Sequence, residues 1–126
     1  MDIIILIPAI VHVYIFSLES LLWDRASTRR VFGLSSEDAK VTKLFAWNQG
    51  FYNLLLAIAI IVGWLLRNGV PAMNNGVLAG TVLILYGLVS ICIAGIVLFM
   101  SARRLWRSAL VQLVPALIGL IVLARN

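Results

Sequence analysis

A chain of 126 residues is long enough for one domain. Hydrophobic residues make up 63% of it and charged residues 12%, which excludes an ordinary soluble protein, where roughly 25% of residues are charged. The net charge of +5 does not indicate nucleic-acid binding, because the basic residues lie in short loops between apolar runs. We therefore predict an all-α integral membrane protein, a single four-helix bundle of residues 1–126 surrounded by the lipid bilayer.

The first predicted span covers about residues 2–23, close to the ~20 residues that cross a bilayer. We expect a membrane span rather than a signal peptide, because Asp24-Arg25-Ala26 does not form a small-residue cleavage site. His12 and Glu19 share one helical face of this span. A carboxylate near a helix centre costs about 2.5–3.5 kcal/mol on insertion scales, so Glu19 is expected to face inward and to have a partner.

A basic, polar segment follows, and its second part, about residues 31–43, is predicted to lie along the membrane interface. Val31-Phe32-Gly33-Leu34 places apolar side chains within this polar stretch. Ser35-Ser36-Glu37-Asp38 is typical of a helix start, with a hydroxyl cap and carboxylates in the first turn.

The second predicted span covers about residues 44–66 and carries a polar face. This face, about 140° wide, consists of Asn48, Gln49, Tyr52 and Asn53. We expect it to point into the bundle, because lipid tails offer no hydrogen-bond partners.

The last two predicted spans cover about residues 76–100 and 108–124. The third span carries Gly80, Gly87 and Ala94 at seven-residue intervals, which predicts a packing seam. The fourth span places Gln112 near its start.

The basic residues predict the orientation of the chain. The loops after the first and third spans hold eight of them: Arg25, Arg29, Arg30, Lys40, Lys43, Arg103, Arg104 and Arg107. The other side holds Arg67 and Arg125. By the positive-inside rule, both termini are expected on the non-cytoplasmic side. Trp23, Trp47 and Trp106 fall at the cytoplasmic boundary, where an aromatic belt would anchor the bundle.

Alternating helix directions bring the polar side chains of the spans to a similar depth in the cytoplasmic half of the membrane. We predict a ligand-binding cluster there, with His12 about two turns deeper: His12, Glu19, Asn48, Gln49, Tyr52, Asn53 and Gln112. Two interpretations remain open for Glu19, a binding or proton-exchange group and a structural acid. The amides could equally hold helices together, at about 0.6 kcal/mol per contact.

The sequence gives little support to other kinds of site. One histidine and one intramembrane carboxylate supply few metal ligands, so no metal site is expected. Cys92, the single cysteine, cannot form an internal disulfide and is expected to be a small buried side chain. No nucleophile–base arrangement, phosphate loop, haem or flavin motif occurs, so we predict no cofactor and no catalytic residues and do not favour an enzyme.

Several blocks of the sequence form a pattern that covers nearly the whole chain. They are Val31-Phe32-Gly33-Leu34, Thr42-Lys43, Asn48-Gln49-Gly50-Phe51-Tyr52-Asn53, Gln112 and Pro115-Ala116, with His12, Tyr14, Ile15 and Glu19 before them. The pattern resembles a family of small bacterial membrane proteins numbered thirteen-oh-four among the domains of unknown function. The resemblance implies four helices, the bacterial cytoplasmic (inner) membrane and a distant likeness to the DoxX group, but no established activity. That family usually has an acidic residue before the histidine, where Val11 stands here, which argues against a two-carboxylate site.

These observations predict a protein that binds or transports a small molecule through a polar cavity. A transporter of four short helices is expected to be a homodimer, because a single copy offers a narrow pathway. One alternative is a structural or accessory subunit whose polar core only specifies helix packing. A weaker alternative is a membrane-embedded isomerase or hydrolase acting on a lipid-like substrate, with Glu19 and His12 as acid and base.

Overall fold

The computed structural model describes residues 3–69 and 75–125, and every regular element in those ranges is a helix. Four of the helical segments are long and apolar enough to cross a membrane. The predicted all-α architecture with four candidate spans is therefore confirmed for the described residues. The orientation predicted from the basic residues stays a prediction.

The first segment, α1, covers Ile3–Leu21 and changes its helical geometry twice. A 3₁₀ turn (Ile3–Leu6) leads into an α-helix (Ile7–Phe16), and a π-helical turn (Ser17–Leu21) ends the segment. The amide of Leu22 donates to the carbonyl of Ser17, five residues earlier, at 2.9 Å, which is the π-type bond. The predicted span was 2–23; residue 2 lies outside the described residues.

The basic segment after α1 is more helical than predicted. A short helix, α2 (Ala26–Phe32), ends at Gly33, whose φ of 63° is left-handed and suits glycine. The next helix, α3, runs without a break over Ser36–Gly69, which at 34 residues is about 51 Å long. Residues 36–43 are therefore the first turns of α3, and their predicted position along the membrane interface stays a prediction. The Ser35 hydroxyl caps this helix as predicted, accepting from the Asp38 amide at 3.0 Å.

Two further helices complete the bundle: α4 (Gly76–Ser101) and α5 (Trp106–Ala124), the latter preceded by a 3₁₀ turn (Arg103–Leu105). The four long helices pack in a ring, in the order α1, α3, α4, α5 and back to α1. Fully buried Ile60, Ile84, Leu88 and Ile91 form the centre of the core, and Cys92 is buried beside them as expected.

Glycine allows α3 and α4 to approach closely. A Cβ at Gly63 would lie 2.7 Å from the carbonyl oxygen of Gly80, so neither position has room for a side chain. The predicted seam on α4 includes Gly80 and Gly87, but Ala94 is exposed and Gly95 is buried instead. A strict seven-residue interval drifts by about 20° per heptad around a straight helix, which moves the third position off the interface.

A second, smaller cluster stabilises the end of the bundle where α2 and the 102–107 turn lie, which we call the basic end. Trp23 is buried against Ala39 and Ala46 of α3, and its indole nitrogen donates to the carbonyl of Ala39 at 2.8 Å. Trp23 is therefore a core residue rather than the membrane anchor that the sequence predicted. Trp47 and Trp106, in contrast, remain exposed on the surface.

Candidate functional site

A cavity of about 650 Å³ opens at the basic end, and all five helices contribute to its walls. We call it the main cavity. Its volume lies within the range of roughly 300–1,000 Å³ typical of small-molecule sites. Four of the seven predicted site residues line it: Glu19, Gln49, Asn53 and Gln112. Most of the remaining wall is apolar, including Leu18, Leu98 and Val111.

The close crossing of α1 and α3 brings Glu19 to this cavity. Gly50 is buried against the π-helical turn of α1, and a Cβ there would overlap the hydroxyl oxygen of Ser20. The Ser20 hydroxyl donates to the carbonyl of Trp47 at 3.0 Å, which fastens the two helices together. Glycine at position 50 therefore allows the end of α1, and Glu19 with it, to lie directly on α3.

Glu19 and Asn53 form the polar centre of the site. The amide nitrogen of Asn53 donates to Oε2 of Glu19 at 2.7 Å and also reaches the backbone carbonyl of Gln49 at 3.2 Å. Asn53 is nearly buried, with 8% of its surface exposed. Its amide thus fixes one carboxylate oxygen, while Oε1 of Glu19 accepts no hydrogen bond from the described part of the protein.

Two further amides face the cavity without protein partners. Gln112 is buried to the same degree as Asn53, yet its side chain makes no hydrogen bond within residues 3–69 and 75–125. It is also not among the polar groups sealed away from the solvent, so its amide is reachable from the cavity. Gln49 lines the same cavity, and its side chain likewise has no bonding partner among the residues that the structure describes.

His12 is fully buried and does not line the main cavity. Its Nδ1 lies 3.0 Å from the carbonyl oxygen of Pro8, and because that oxygen can only accept, Nδ1 is the donor. No described group donates to Nε2. His12 and Glu19 make no contact with each other, since they lie seven residues apart, about 10 Å along the helix.

Asn48 and Tyr52 differ from the prediction, because both are exposed on the outer surface and neither lines the cavity. The polar face of α3 is thus rotated away from the bundle interior, and only Asn53 is buried. The buried face instead consists largely of small residues, such as Ala46, Gly50 and Ala57, which let α1 and α4 approach.

The arginine side chains on one side of the main cavity were not predicted from the sequence. Arg30 of α2 and Arg107 of α5 both line it, together with Ser108 and the aromatic ring of Tyr14. From their positions in basic loops, Arg30 and Arg107 predict only the orientation of the chain in the membrane. A signal was nevertheless present, because Arg107 lies five residues before Gln112, on the same span and near the same end.

Chemically, the site offers a carboxylate oxygen and two amides to a ligand, within largely apolar walls and beside two guanidinium groups. These groups suit hydrogen bonding and charge pairing. No three His, Cys, Asp or Glu side chains come close enough to hold a metal ion within the described ranges.

Comparison with known proteins places the chain in a family. A family model described as "Protein of unknown function (DUF1304)" matches residues 6–124, from α1 to the end of α5. No match was found among curated proteins or among solved structures. The match covers nearly the whole chain and confirms the resemblance seen in the sequence. The chain therefore belongs to the DUF1304 family.

Proposed function

We propose that this protein is a multi-pass protein of the bacterial cytoplasmic membrane that binds a small molecule in its main cavity. In this proposal the basic end faces the cytoplasm, so the cavity opens to that side, as the distribution of Lys and Arg favours. Glu19, Gln49 and Gln112 bind the ligand, and Asn53 positions the carboxylate.

The unpaired amide of Gln112 is the observation that carries the proposal. The Gln112 side chain is mostly buried, yet its amide forms no hydrogen bond within the described residues and is open to the cavity, so helix packing makes no use of it. Gln112 lines the cavity, as do Gln49 and the unbonded oxygen of Glu19. A polar ligand or ordered water in the cavity would satisfy all three groups at once, whereas helix packing would have paired them with each other.

The groups in the cavity also restrict the ligand. The Glu19 carboxylate favours a hydrogen-bond donor or a cationic group, and the side-chain amides accept or donate. The walls formed by Leu18, Leu98 and Val111 favour an apolar body. The ligand class that fits best is therefore a small amphiphile whose polar group reaches Glu19.

Binding is the simpler function, and transport would need a second conformation. Fully buried Ile60, Ile84, Leu88 and Ile91 fill the bundle between the main cavity and the opposite end. A transporter would have to rearrange this core to open the other side. If the protein transports its ligand, the described arrangement is the state that is open to the cytoplasm.

Native mass spectrometry of protein gently extracted from its own membrane tests the proposal. Glu19→Gln keeps the side-chain volume and an acceptor for Asn53 but removes the charge. Glu37→Gln is the matched control, because Glu37 is exposed in the first turn of α3, outside the cavity. Thermal unfolding of all three proteins checks that they remain folded.

We expect a small-molecule adduct on the wild type and on Glu37→Gln, and its loss from Glu19→Gln. An adduct retained in full by a folded Glu19→Gln protein would remove Glu19 from the site. A wild type that carries no small molecule, and that gains none from an extract of its membrane, would reject ligand binding altogether.

A second candidate is a structural role, in which two copies of this chain pack through the exposed polar face of α3. Asn48 and Tyr52 are exposed beside apolar surface residues, and a contact between two copies would give their polar groups hydrogen-bond partners. An amide is self-complementary, so Asn48 can pair with its own copy across a two-fold axis. Native mass spectrometry would then show a wild-type dimer and an Asn48→Leu monomer; a monomeric wild type would reject this role.

A further inference from the structure

A second concave site lies beside the main cavity at the basic end. It has a volume of about 260 Å³ and lies between α2, the 102–107 turn and the first turn of α5. Three arginines line it, together with a glycine and a serine: Arg30, Gly33, Arg104, Arg107 and Ser108. We call it the basic pocket.

The three guanidinium groups retain most of their donors for a ligand. Arg104 is held in place by Nη1, which donates to the carbonyls of Phe32 and Gly33 at 3.2 and 2.7 Å. Arg107 lies over the ring of Trp106, 5.3 Å from its centroid, and this contact uses no N–H donor. The guanidinium group of Arg30 makes no hydrogen bond or ion pair with any residue in the described ranges. Each guanidinium carries five donors, so the pocket is rich in unused N–H groups.

No carboxylate belongs to the lining of this pocket. The ion pair found among the described residues, between Asp24 and Lys43, lies outside it. Ser108 adds a hydroxyl in the first turn of α5, where the helix dipole also favours an anion. The pocket thus combines three positive charges with no neutralising acid.

We propose that the basic pocket binds a phosphate group. Guanidinium groups bind phosphate oxygens through paired, charge-assisted hydrogen bonds, which makes arginine the preferred residue for this ligand. The positive-inside rule accounts for basic residues at this end of the bundle. It does not account for three of them converging on one concave site while Arg25 and Arg103, at the same end, do not line it.

The basic pocket and the main cavity are continuous, because Arg30, Arg107 and Ser108 line both of them. One molecule can therefore place its phosphate among the arginines and its apolar body along Leu18 and Leu98. This second step rests on the proposed function and defines the ligand class further, as a phosphate-bearing amphiphile. The phosphate site itself would also accept free phosphate, and the experiment separates these two sources.

Calorimetric titration of the full chain in a non-ionic detergent tests the inference with two probes, dihexanoyl phosphatidic acid and inorganic phosphate. The pocket variant is Arg30→Gln with Arg107→Gln, which leaves the structural bonds of Arg104 intact. The control variant is Arg25→Gln with Arg103→Gln, which removes the same charge from the same end outside the pocket. Arg25 and Arg103 are both exposed.

We expect phosphatidic acid to bind the wild type and the control alike, and the pocket variant to bind it roughly tenfold or more weakly. Comparable binding of inorganic phosphate would identify free phosphate as the source; much weaker binding would identify a lipid headgroup. An equal loss in both variants would show general charge attraction and overturn the inference, as would a wild type that binds neither probe.

Native mass spectrometry of Glu19→Gln, read together with the titration of the arginine variants, separates this inference from the proposed function. If the Glu19 variant retains the native adduct while the arginine dependence holds, the polar end of the main cavity is not the binding site and the phosphate site stands alone. If the adduct depends on Glu19 but the probes do not depend on Arg30 and Arg107, the phosphate inference fails and the proposed function remains.

Discussion

Gly50→Ala is the substitution that tests most directly how Glu19 reaches the cavity. Alanine in a helix interior normally stabilises relative to glycine by roughly 1 kcal/mol. Here the new Cβ would overlap the hydroxyl of Ser20 and lie 3.2 Å from the Cβ atoms of Glu19 and Ser20. Overpacking of this kind costs about 1–3 kcal/mol. Loss of the hydrogen bond from Ser20 to Trp47 adds about 0.6 kcal/mol to this destabilisation in a membrane bundle.

The net expectation is a loss of about 1–2 kcal/mol in the free energy of unfolding, opposite in sign to the propensity effect. Reversible unfolding in mixed micelles with increasing dodecyl sulfate, followed by far-ultraviolet circular dichroism, measures it. Gly69→Ala is the control, because a Cβ there meets no atom of the described residues within 4 Å. Ser20→Ala in the Gly50→Ala background should recover much of the loss. A Gly50→Ala protein as stable as the control, or strictly additive effects at positions 20 and 50, would refute the close crossing.

Two further predictions concern the basic end and use the same unfolding measurement. Gly33→Ala should cost about 1–2 kcal/mol, since a left-handed φ of 63° is unfavourable for alanine; no change would mean that α2 does not end in this turn. Trp23→Phe keeps an aromatic ring but loses the bond to Ala39, which should cost about 0.5–1.5 kcal/mol. Trp106→Phe is its exposed control, and an equal effect at both positions would contradict the buried position of Trp23.

The four spans could be predicted because each is an apolar run of about the length that crosses a bilayer, a constraint that lipid imposes on the chain without any tertiary contact. The residue at which α3 begins is less evident from the sequence than the positions of the four spans. The capping signal at Ser35 was correct, but residues 36–43 are polar and resemble an interfacial stretch. Ala39, in the first turns of α3, packs on Trp23, a contact between distant parts of the chain that the local sequence does not reveal.

Four of the seven residues predicted to cluster line the main cavity, and the others do not, because polarity and burial are different signals. Glu19, Asn53 and Gln112 were correctly expected inside the bundle, since isolated polar groups in apolar runs need partners. On α3, however, the polar residues predicted a face that points into the bundle, whereas Asn48 and Tyr52 are exposed. Small residues define the true interface, because close backbone approach drives helix packing in lipid. The arginines of the cavity were missed because topology alone explains a basic loop.

The π-helical turn at Ser17–Leu21 gives two adjacent side chains different partners. In a regular α-helix two adjacent side chains point about 100° apart, and a π turn alters that relation at the cost of poorer backbone geometry. Here Ser20 binds the backbone of α3 while its neighbour Glu19 binds Asn53, yet one oxygen of Glu19 is left unbonded. In a cluster that only joins helices, both carboxylate oxygens of Glu19 and the side-chain amide of Gln112 would be expected to form hydrogen bonds within the protein. The proposed ligand binding therefore rests on this unused acceptor and on the amide of Gln112.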